Sequence, residues 1–191
     1  VMLEAGFTFS SAGGDKLNGL YASVSTEIAS NLVLFGEYSP VGENITAGKL
    51  LRDNFYFDQQ DLDRIFLKKK NKLRATLKYE FEKYYQIDGG IEFYDADNLP
   101  YYNNPDSSGF FEVFTSDATS WDIFLNMLYH LGPYGYFYGS VNYLNIQDPD
   151  SRKVPYYPGL KASLIYGYDF SQDWKSEFKL SYLSDRYADI E

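Results

Sequence analysis

Polar and apolar residues alternate along most of this chain, and the alternation predicts β-strands rather than helices. Most of the predicted strands are 10–12 residues long, whereas strands in soluble domains have a mode of about 5–6 residues. A tilted strand that crosses a bilayer needs about 9–11 residues. The pattern predicts an all-β fold of nine strands, at 1–10, 19–29, 32–39, 72–82, 85–95, 120–131, 135–145, 159–170 and 174–183.

The connections between these strands alternate in length. Four are short, at 30–31, 83–84, 132–134 and 171–173, and four are long, at 11–18, 40–71, 96–119 and 146–158. In an antiparallel up-and-down meander, the short turns then lie at one end of the sheet and the long loops at the other. Short periplasmic turns and long extracellular loops are typical of outer-membrane barrels.

Two stretches depart from this simple pattern. Leu62, Ile65 and Phe66, within 59–67, could form one apolar face of a short helix. The stretch 54–57 reads as extended and leaves room for a further strand in the longest connection.

The two faces of the predicted strands differ sharply in charge. One face carries uncharged residues throughout, such as Val24, Leu77 and Leu125, and the opposite face carries charges such as Arg74 and Asp88. An Arg or Lys that faces lipid near the bilayer midplane costs about 2–4 kcal/mol. We therefore expect the uncharged face to meet lipid and the charged face to line a lumen.

Aromatic residues on the uncharged face gather near both strand ends. Amphipathic rings favour the two membrane–water interfaces, so these residues predict two interfacial belts. The belt near the long loops contains Tyr38, Phe93, Trp121, Tyr143 and Tyr182, and the belt near the short turns contains Phe81, Tyr85, Tyr129, Phe170 and Trp174.

Composition narrows the partners without deciding the fold. The 191-residue chain has 17 Lys and Arg against 27 Asp and Glu, for a net charge of −10, which repels nucleic-acid phosphates. It has no cysteine, so disulfides and thiolate metal sites are excluded. The mean hydropathy of −0.40 suits a soluble β-sandwich, but also a barrel with a polar lumen and polar loops.

Nine strands do not make a complete bacterial barrel, because single-chain barrels have an even number of strands. An open sheet in lipid would leave two edges of unpaired backbone groups. We expect residues 1–191 to be one contiguous part of a larger transmembrane β-barrel domain, with no plug domain in this chain.

The last 40 residues carry a family resemblance. Pro155 and Pro158 precede a strand and a hairpin, and Arg186, Tyr187 and Asp189 follow them. This arrangement resembles the late barrel strands of TonB-dependent outer-membrane receptors. The resemblance implies uptake of a bulky nutrient, such as an iron chelate, a vitamin or an oligosaccharide. It also implies a plug domain and TonB-type energy coupling outside this chain.

Two other functions fit the same strand pattern. One is a passive porin or a structural outer-membrane barrel, which would have no plug. The other is a soluble β-rich carbohydrate-binding module that uses its tyrosines. For a barrel in the bacterial outer membrane, the expected partners are membrane lipid and lipopolysaccharide.

The candidate ligand-binding residues lie in two of the long connections. Tyr101, Tyr102 and Asn103 belong to one, and Tyr156 and Tyr157 to the other. Exposed tyrosine and asparagine side chains can stack on and hydrogen-bond a sugar or a chelate. Turn chemistry alone also accounts for the Asn-Pro-Asp sequence that follows Asn103.

No other residues predict chemistry. His130 is the only histidine, and one histidine does not make a metal site. Asp58, Asp61 and Asp63 lack the glycine and glutamate of a calcium loop. Lysines 68–70 form a basic cluster that could contact lipopolysaccharide phosphates or simply be solvated. Without a nucleophile–base pair, we expect no enzymatic activity, and we expect no cofactor.

Overall fold

The computed structural model describes residues 1–53, 65–82, 84–103, 111–170 and 174–185. These residues form ten strands, one α-helix and one 3-10 turn at Gly132–Tyr134. The elements are β1 (Met2–Ala12), β2 (Asp15–Ala29), β3 (Leu32–Tyr38), β4 (Val41–Ile45), α1 (Ala47–Asp53), β5 (Ile65–Phe81), β6 (Tyr85–Asn103), β7 (Glu112–His130), β8 (Tyr136–Gln147), β9 (Leu160–Asp169) and β10 (Lys175–Leu183).

The strands form one antiparallel sheet in the predicted meander order. Nine of them follow the path β1-β2-β3-β5-β6-β7-β8-β9-β10, and β4 pairs with β5 beside this path. The prediction of about nine long antiparallel strands is therefore confirmed. Within the described residues the sheet does not close, since β1 and β10 each pair on one side only.

The predicted loop at 11–18 is wrong. β1 continues to Ala12 and β2 begins at Asp15, so only Gly13 and Gly14 turn the chain. Both glycines have positive φ, at 62° and 101°, which two-residue hairpin turns require. The polar residues Lys16 and Asn18 made this stretch look like a loop, although they are strand residues of the hairpin.

The other long connections are also more ordered than predicted. β5 begins eight residues before Leu73, and β6 and β7 run together as far as the pair Asn103 and Glu112. The predicted helix at 59–67 is not supported where it is described, because Ile65 and Phe66 belong to β5 and pair with β4. Leu62 and the extended stretch 54–57 lie outside the described residues.

The uncharged face of the sheet is exposed. Leu125 is 52% exposed and Phe178 is 66% exposed, although a soluble sheet would bury such residues against a second layer. Along β7 the burial alternates residue by residue between Trp121 and Tyr129, and every residue on the open side is uncharged. The exposed face is therefore the one that the sequence predicts to meet lipid.

The buried core lies instead beyond the loop end of this apolar face. It lies among β4, α1, the extended parts of β5, β6 and β7, the end of β8 and the segment that follows β8. Leu50 of α1 is 3% exposed there. Its other buried members are Ile45, Ile65, Leu67, Tyr94, Ala96, Leu99, Ala118, Ile146 and Val154.

The predicted aromatic belts lie on the open face of the sheet. Phe93 pairs with Trp121 across two strands, and their ring centroids are 4.7 Å apart. Trp121 and Tyr129 are eight residues apart on β7, or about 26 Å at ~3.3 Å per residue. A strand tilt of about 40° reduces this separation to roughly 20 Å of depth, comparable to the apolar band of ~25 Å in such barrels.

A continuous row of aromatic residues crosses six strands of this face. Each member lies opposite the next in the register, from Phe81 through Tyr85, Tyr129, Phe137 and Tyr166 to Phe178. The row starts beside the turn after β5 and ends inside β10, several residues from the β9–β10 connection. Such stagger is what tilted strands of a barrel require. Sequence reasoning assigned only the first three residues to a belt.

Glycine is required at one of the short turns. Gly135 ends the 3-10 turn with φ 93°, and a Cβ there would lie 1.9 Å from the backbone oxygen of Gly167. Gly167 in turn lies under the ring of Tyr136, its partner in the register. The absence of two side chains therefore lets β8 and β9 approach at this end.

Candidate functional site

A cavity of about 420 Å³ opens at the loop end of the polar face. Its walls come from β4 and α1, the extended parts of β5 and β6, the start of β9 and the segment after β8. The lining includes three lysines, one glutamate and four tyrosines: Lys49, Lys69, Lys161, Glu43, Tyr94, Tyr102, Tyr156 and Tyr157. Leucine and proline side chains form most of the remaining surface.

The tyrosine wall is held by hydrogen bonds to neighbouring backbone. The Tyr102 hydroxyl donates to the carbonyl oxygen of Leu50 at 2.7 Å, which ties β6 to α1. The Tyr157 hydroxyl donates to the carbonyl oxygen of Pro100 at 2.6 Å, which ties the segment after β8 to β6. The two bonds together hold α1, β6 and the segment after β8 around one cavity.

Tyr156 is fixed by ring contacts. Its ring meets those of Tyr102 and Phe111 edge-on, with centroids 6.4 Å and 5.2 Å apart. Its φ of 64° lies in the left-handed region, where an aromatic residue is uncommon. The surrounding rings offset the strain of this backbone, which is of order 1 kcal/mol or more.

The lysine wall is organised by a single carboxylate. Lys69 Nζ lies 2.8 Å from Glu43 and 5.1 Å from the ring centroid of Tyr94. Lys49 Nζ lies 3.4 Å from the same carboxylate. Lys161 makes no ion pair within 4 Å among the described residues, although it lies at the same cavity.

The Glu43 and Lys69 charges stabilise each other. Burial opposes ionisation of both groups, but their mutual hydrogen bond and attraction outweigh it. The pKa of Glu43 is therefore below its ordinary value, and the pKa of Lys69 is above its ordinary value. Both groups remain charged at neutral pH.

A short loop supports the segment that carries Tyr156 and Tyr157. Asp148 is 7% exposed and accepts hydrogen bonds from the Arg152 N–H at 2.9 Å and Nε at 2.8 Å. Burial raises the pKa of Asp148. The hydrogen bonds from Arg152 and Asp150 lower it by a larger amount, so the pKa of Asp148 is below its usual value.

A second cavity of about 490 Å³ continues toward the interior of the polar face. It shares Lys69, Tyr94 and Lys161 with the first cavity and adds Glu92, Asp122 and Lys179. The deeper cavity therefore has two carboxylates for three ammonium groups, whereas the upper cavity has one for three.

The structure separates the predicted ligand residues into two groups. Tyr102, Tyr156 and Tyr157 line the upper cavity. Tyr101 stacks on Phe114 with centroids 5.9 Å apart, and Asn103 ends β6 opposite Glu112. Neither Tyr101 nor Asn103 lines this cavity. Ligand binding itself stays a prediction for all five.

Sequence reasoning missed the charged residues of the cavity. Lys69 belonged to a predicted basic cluster, whereas Glu43, Lys49 and Lys161 were not singled out. A signal for Glu43 and Lys49 was present in part, because Val41–Ile45 is short, apolar at both ends and followed by a stretch with helical residues. Nothing in the sequence showed which strand β4 would join.

Lysines 68–70 do not form an uncompensated basic patch. Lys68 pairs with Asp15 at 2.7 Å, Lys69 pairs with Glu43, and Lys70 pairs with Asp97. Contact with lipopolysaccharide stays a prediction. His130 lies at the short-turn end beside Tyr136, with ring centroids 6.3 Å apart, whereas Asp58, Asp61 and Asp63 lie outside the described residues.

Two further features concern metals and membranes. Among the described residues, no group of three His, Asp or Glu side chains could hold a metal ion. In the same part of the chain, no helix is both long enough and apolar enough to span a bilayer.

Comparisons with known proteins support the fold. No family model matches this chain, and no curated protein sequence matches it. The solved structure of the copper transporter OprC is similar over 87% of this chain, with a TM-score of 0.56 and 15% sequence identity. The matched region is 26% of the OprC chain, so this chain corresponds to about a quarter of that structure.

Proposed function

We propose that this chain is part of an outer-membrane transport barrel that takes up a bulky nutrient, as TonB-dependent receptors do. The observation that carries the proposal is the contrast between the two sheet faces. The apolar face is exposed and bordered by aromatic belts, and the polar face carries a walled cavity at its loop end. A soluble module would bury the apolar face, and a passive pore would not need a walled cavity.

The likeness to OprC supports the barrel and its setting in the outer membrane. It does not extend to copper as the cargo of this segment. Soft thiolate and thioether ligands select Cu(I), and this chain has no cysteine and two methionines. Met127 is exposed on the apolar face, and Met2 is exposed at the start of β1 on the same side as Glu4. Import of a larger organic nutrient fits the 420 Å³ cavity better.

In this proposal the cavity captures the ligand at the cell surface. The tyrosine and lysine side chains hold the ligand, and the charged polar face forms part of the passage wall. A plug domain and TonB-type coupling would be supplied by residues outside this chain. No catalytic step is proposed, because binding and passage account for the residues that line the cavity.

Surface labelling tests the proposed orientation. The protein has no cysteine, so single cysteines report their position cleanly. Pro149→Cys lies in an exposed loop and Tyr134→Cys lies in an exposed short turn. A membrane-impermeant maleimide on intact bacteria should label Pro149→Cys alone, and both variants after lysis. Labelling of both in intact cells, or recovery of the protein in the soluble fraction, would contradict the proposal.

Energy dependence separates a receptor from a passive porin. Uptake through a TonB-type receptor should stop when a protonophore collapses the proton gradient, whereas passive diffusion should continue. Persistent uptake in treated cells would favour the porin alternative.

A further inference from the structure

We propose that the upper cavity binds an organic anion with a ring-bearing, partly apolar body. The inference deepens the proposed transport function by naming the ligand class. Its first support is a local reversal of charge. The chain as a whole has a net charge of −10, but three ammonium groups face one carboxylate in the cavity lining.

The positive charges are placed to receive an anionic group. Glu43 lies within 3.4 Å of both Lys49 and Lys69, so one carboxylate serves two ammonium groups. Lys161 lines the cavity with no ion pair within 4 Å among the described residues, and Asp122 of the deeper cavity attracts its charge from a longer distance. A carboxylate, sulfate or phosphate group on a ligand would accept hydrogen bonds from these ammonium groups and compensate the excess positive charge of the upper lining.

The remaining walls suit a ring. Tyr102 and Tyr156 present aromatic surface, and Leu67, Leu99 and Pro158 present aliphatic surface. Aromatic rings pack on flat apolar ligand surfaces and on the C–H faces of sugars. The 420 Å³ volume lies within the range of about 300–1,000 Å³ that small-molecule sites occupy.

The deeper cavity strengthens the case for an anion at the upper position. Glu92 and Asp122 line that cavity together with Lys69, Lys161 and Lys179, so it has two carboxylates for three ammonium groups, whereas the upper cavity has one for three. The upper cavity is therefore the more positive of the two, and an anionic ligand is favoured there. A neutral ligand would feel no such difference between the two levels.

Two kinds of ligand share this chemistry, an acidic oligosaccharide and an aromatic carboxylate. The probes are trigalacturonate with the neutral trisaccharide maltotriose, and 1-naphthoate with the neutral 1-naphthylmethanol. Binding to the detergent-extracted protein is measured by isothermal titration calorimetry. We expect at least one anion to bind at least tenfold more tightly than its neutral counterpart. Raising the salt from about 50 to 500 mM should weaken binding of the anionic probe only, because the screening length shortens as ionic strength rises.

Variants locate the site. Lys161→Gln should weaken binding of the anion about tenfold, and Lys161→Arg should retain most of the affinity because it keeps the charge. Lys16→Gln is the matched control, since Lys16 is an exposed lysine of β2 that lines neither cavity. Tyr156→Asn keeps a side chain that tolerates positive φ and should weaken binding by removing the ring.

The pattern of outcomes decides the proposal and the source of the ligand. Preference for trigalacturonate identifies an acidic sugar, and preference for 1-naphthoate identifies an aromatic acid. Equal binding of charged and neutral probes, binding of neither anion, or an equal loss in Lys16→Gln would overturn the proposal. The surface-labelling result is independent of these measurements, so a failed anion site leaves the transport barrel to be judged by its own test.

Discussion

A charge on the open face should be costly in a way that depends on depth. Leu125 lies midway between Trp121 and Tyr129 on β7, four residues from each, or about 13 Å along the strand at ~3.3 Å per residue. It is 52% exposed. If this face meets lipid, Leu125→Arg places a cation near the bilayer midplane and costs about 2–4 kcal/mol. That cost lowers the folding equilibrium constant by roughly 30-fold to 700-fold, at 1.4 kcal/mol per tenfold.

Two matched variants isolate the cause. Tyr129→Arg places the same cation on the same strand and face, but in the belt near the short turns, where the cost falls to about 0–1 kcal/mol. Ser140→Arg places it on the polar face, in the cavity that Glu92 and Asp122 line. We expect Leu125→Arg to lower the free energy of unfolding more than either of the other two variants. The measurement is guanidinium unfolding of the protein in phospholipid vesicles, followed by tryptophan emission.

A soluble fold leads to the opposite result. If the face met water, replacing an exposed leucine by arginine would make the protein more soluble. It would change the free energy of unfolding by no more than about 0.5 kcal/mol. If Leu125→Arg unfolds at the same denaturant concentration as the parent, the lipid-facing assignment of this strand is wrong. The same conclusion follows if the parent protein stays monodisperse without detergent.

Three further variants test other parts of the structure. Gly135→Val should destabilise the short-turn end, because its Cβ would lie 1.9 Å from the oxygen of Gly167, and hydrogen exchange of β8 and β9 should rise. Leu99→Ala should cost about 2–5 kcal/mol in the loop-end core and speed proteolysis of the β6–β7 extension. Asp148 has a lowered pKa, so its stabilising contribution is present above the ordinary carboxyl pKa and is lost as pH falls through the lowered value. Pepsin should therefore cut 148–158 faster as acidity increases, and Asp148→Asn should remove this dependence.

The strands and their faces could be predicted because the physical cause acts on each residue separately. A charge on the wrong face is costly wherever it occurs, so a nine-strand pattern without charges on one face is visible in the sequence. The belts follow from the same local preference. Phe137, Tyr166 and Phe178 were not assigned to an aromatic row, because the register between strands has no local signature.

The cavity could not be predicted because two β-bulges build it. On β5, Leu73 and Ala75 face outward, and strict alternation would send Lys69 to the same side. The register shifts between Lys70 and Leu73, and Lys69 turns to the inner side, where it meets Glu43. On β6, a second shift between Ala96 and Leu99 turns Leu99 inward. A bulge adds one residue without a marked change in composition, so period-2 reasoning carried across it assigns the wrong face.

The division between an exposed apolar band and a separate loop-end core has a consequence for function. Between the belts, strand pairing holds the sheet, and in the proposed barrel lipid covers its apolar face. Beyond the belts, Leu50, Leu67 and Leu99 are buried in a core of their own, and this core fixes the tyrosine and lysine walls of the cavity. If the proposed function is right, substitutions at the cavity surface would therefore change the ligand while the apolar band stays intact. A transport barrel gains from this arrangement, since one membrane-inserted sheet can carry differently shaped surface sites for different nutrients.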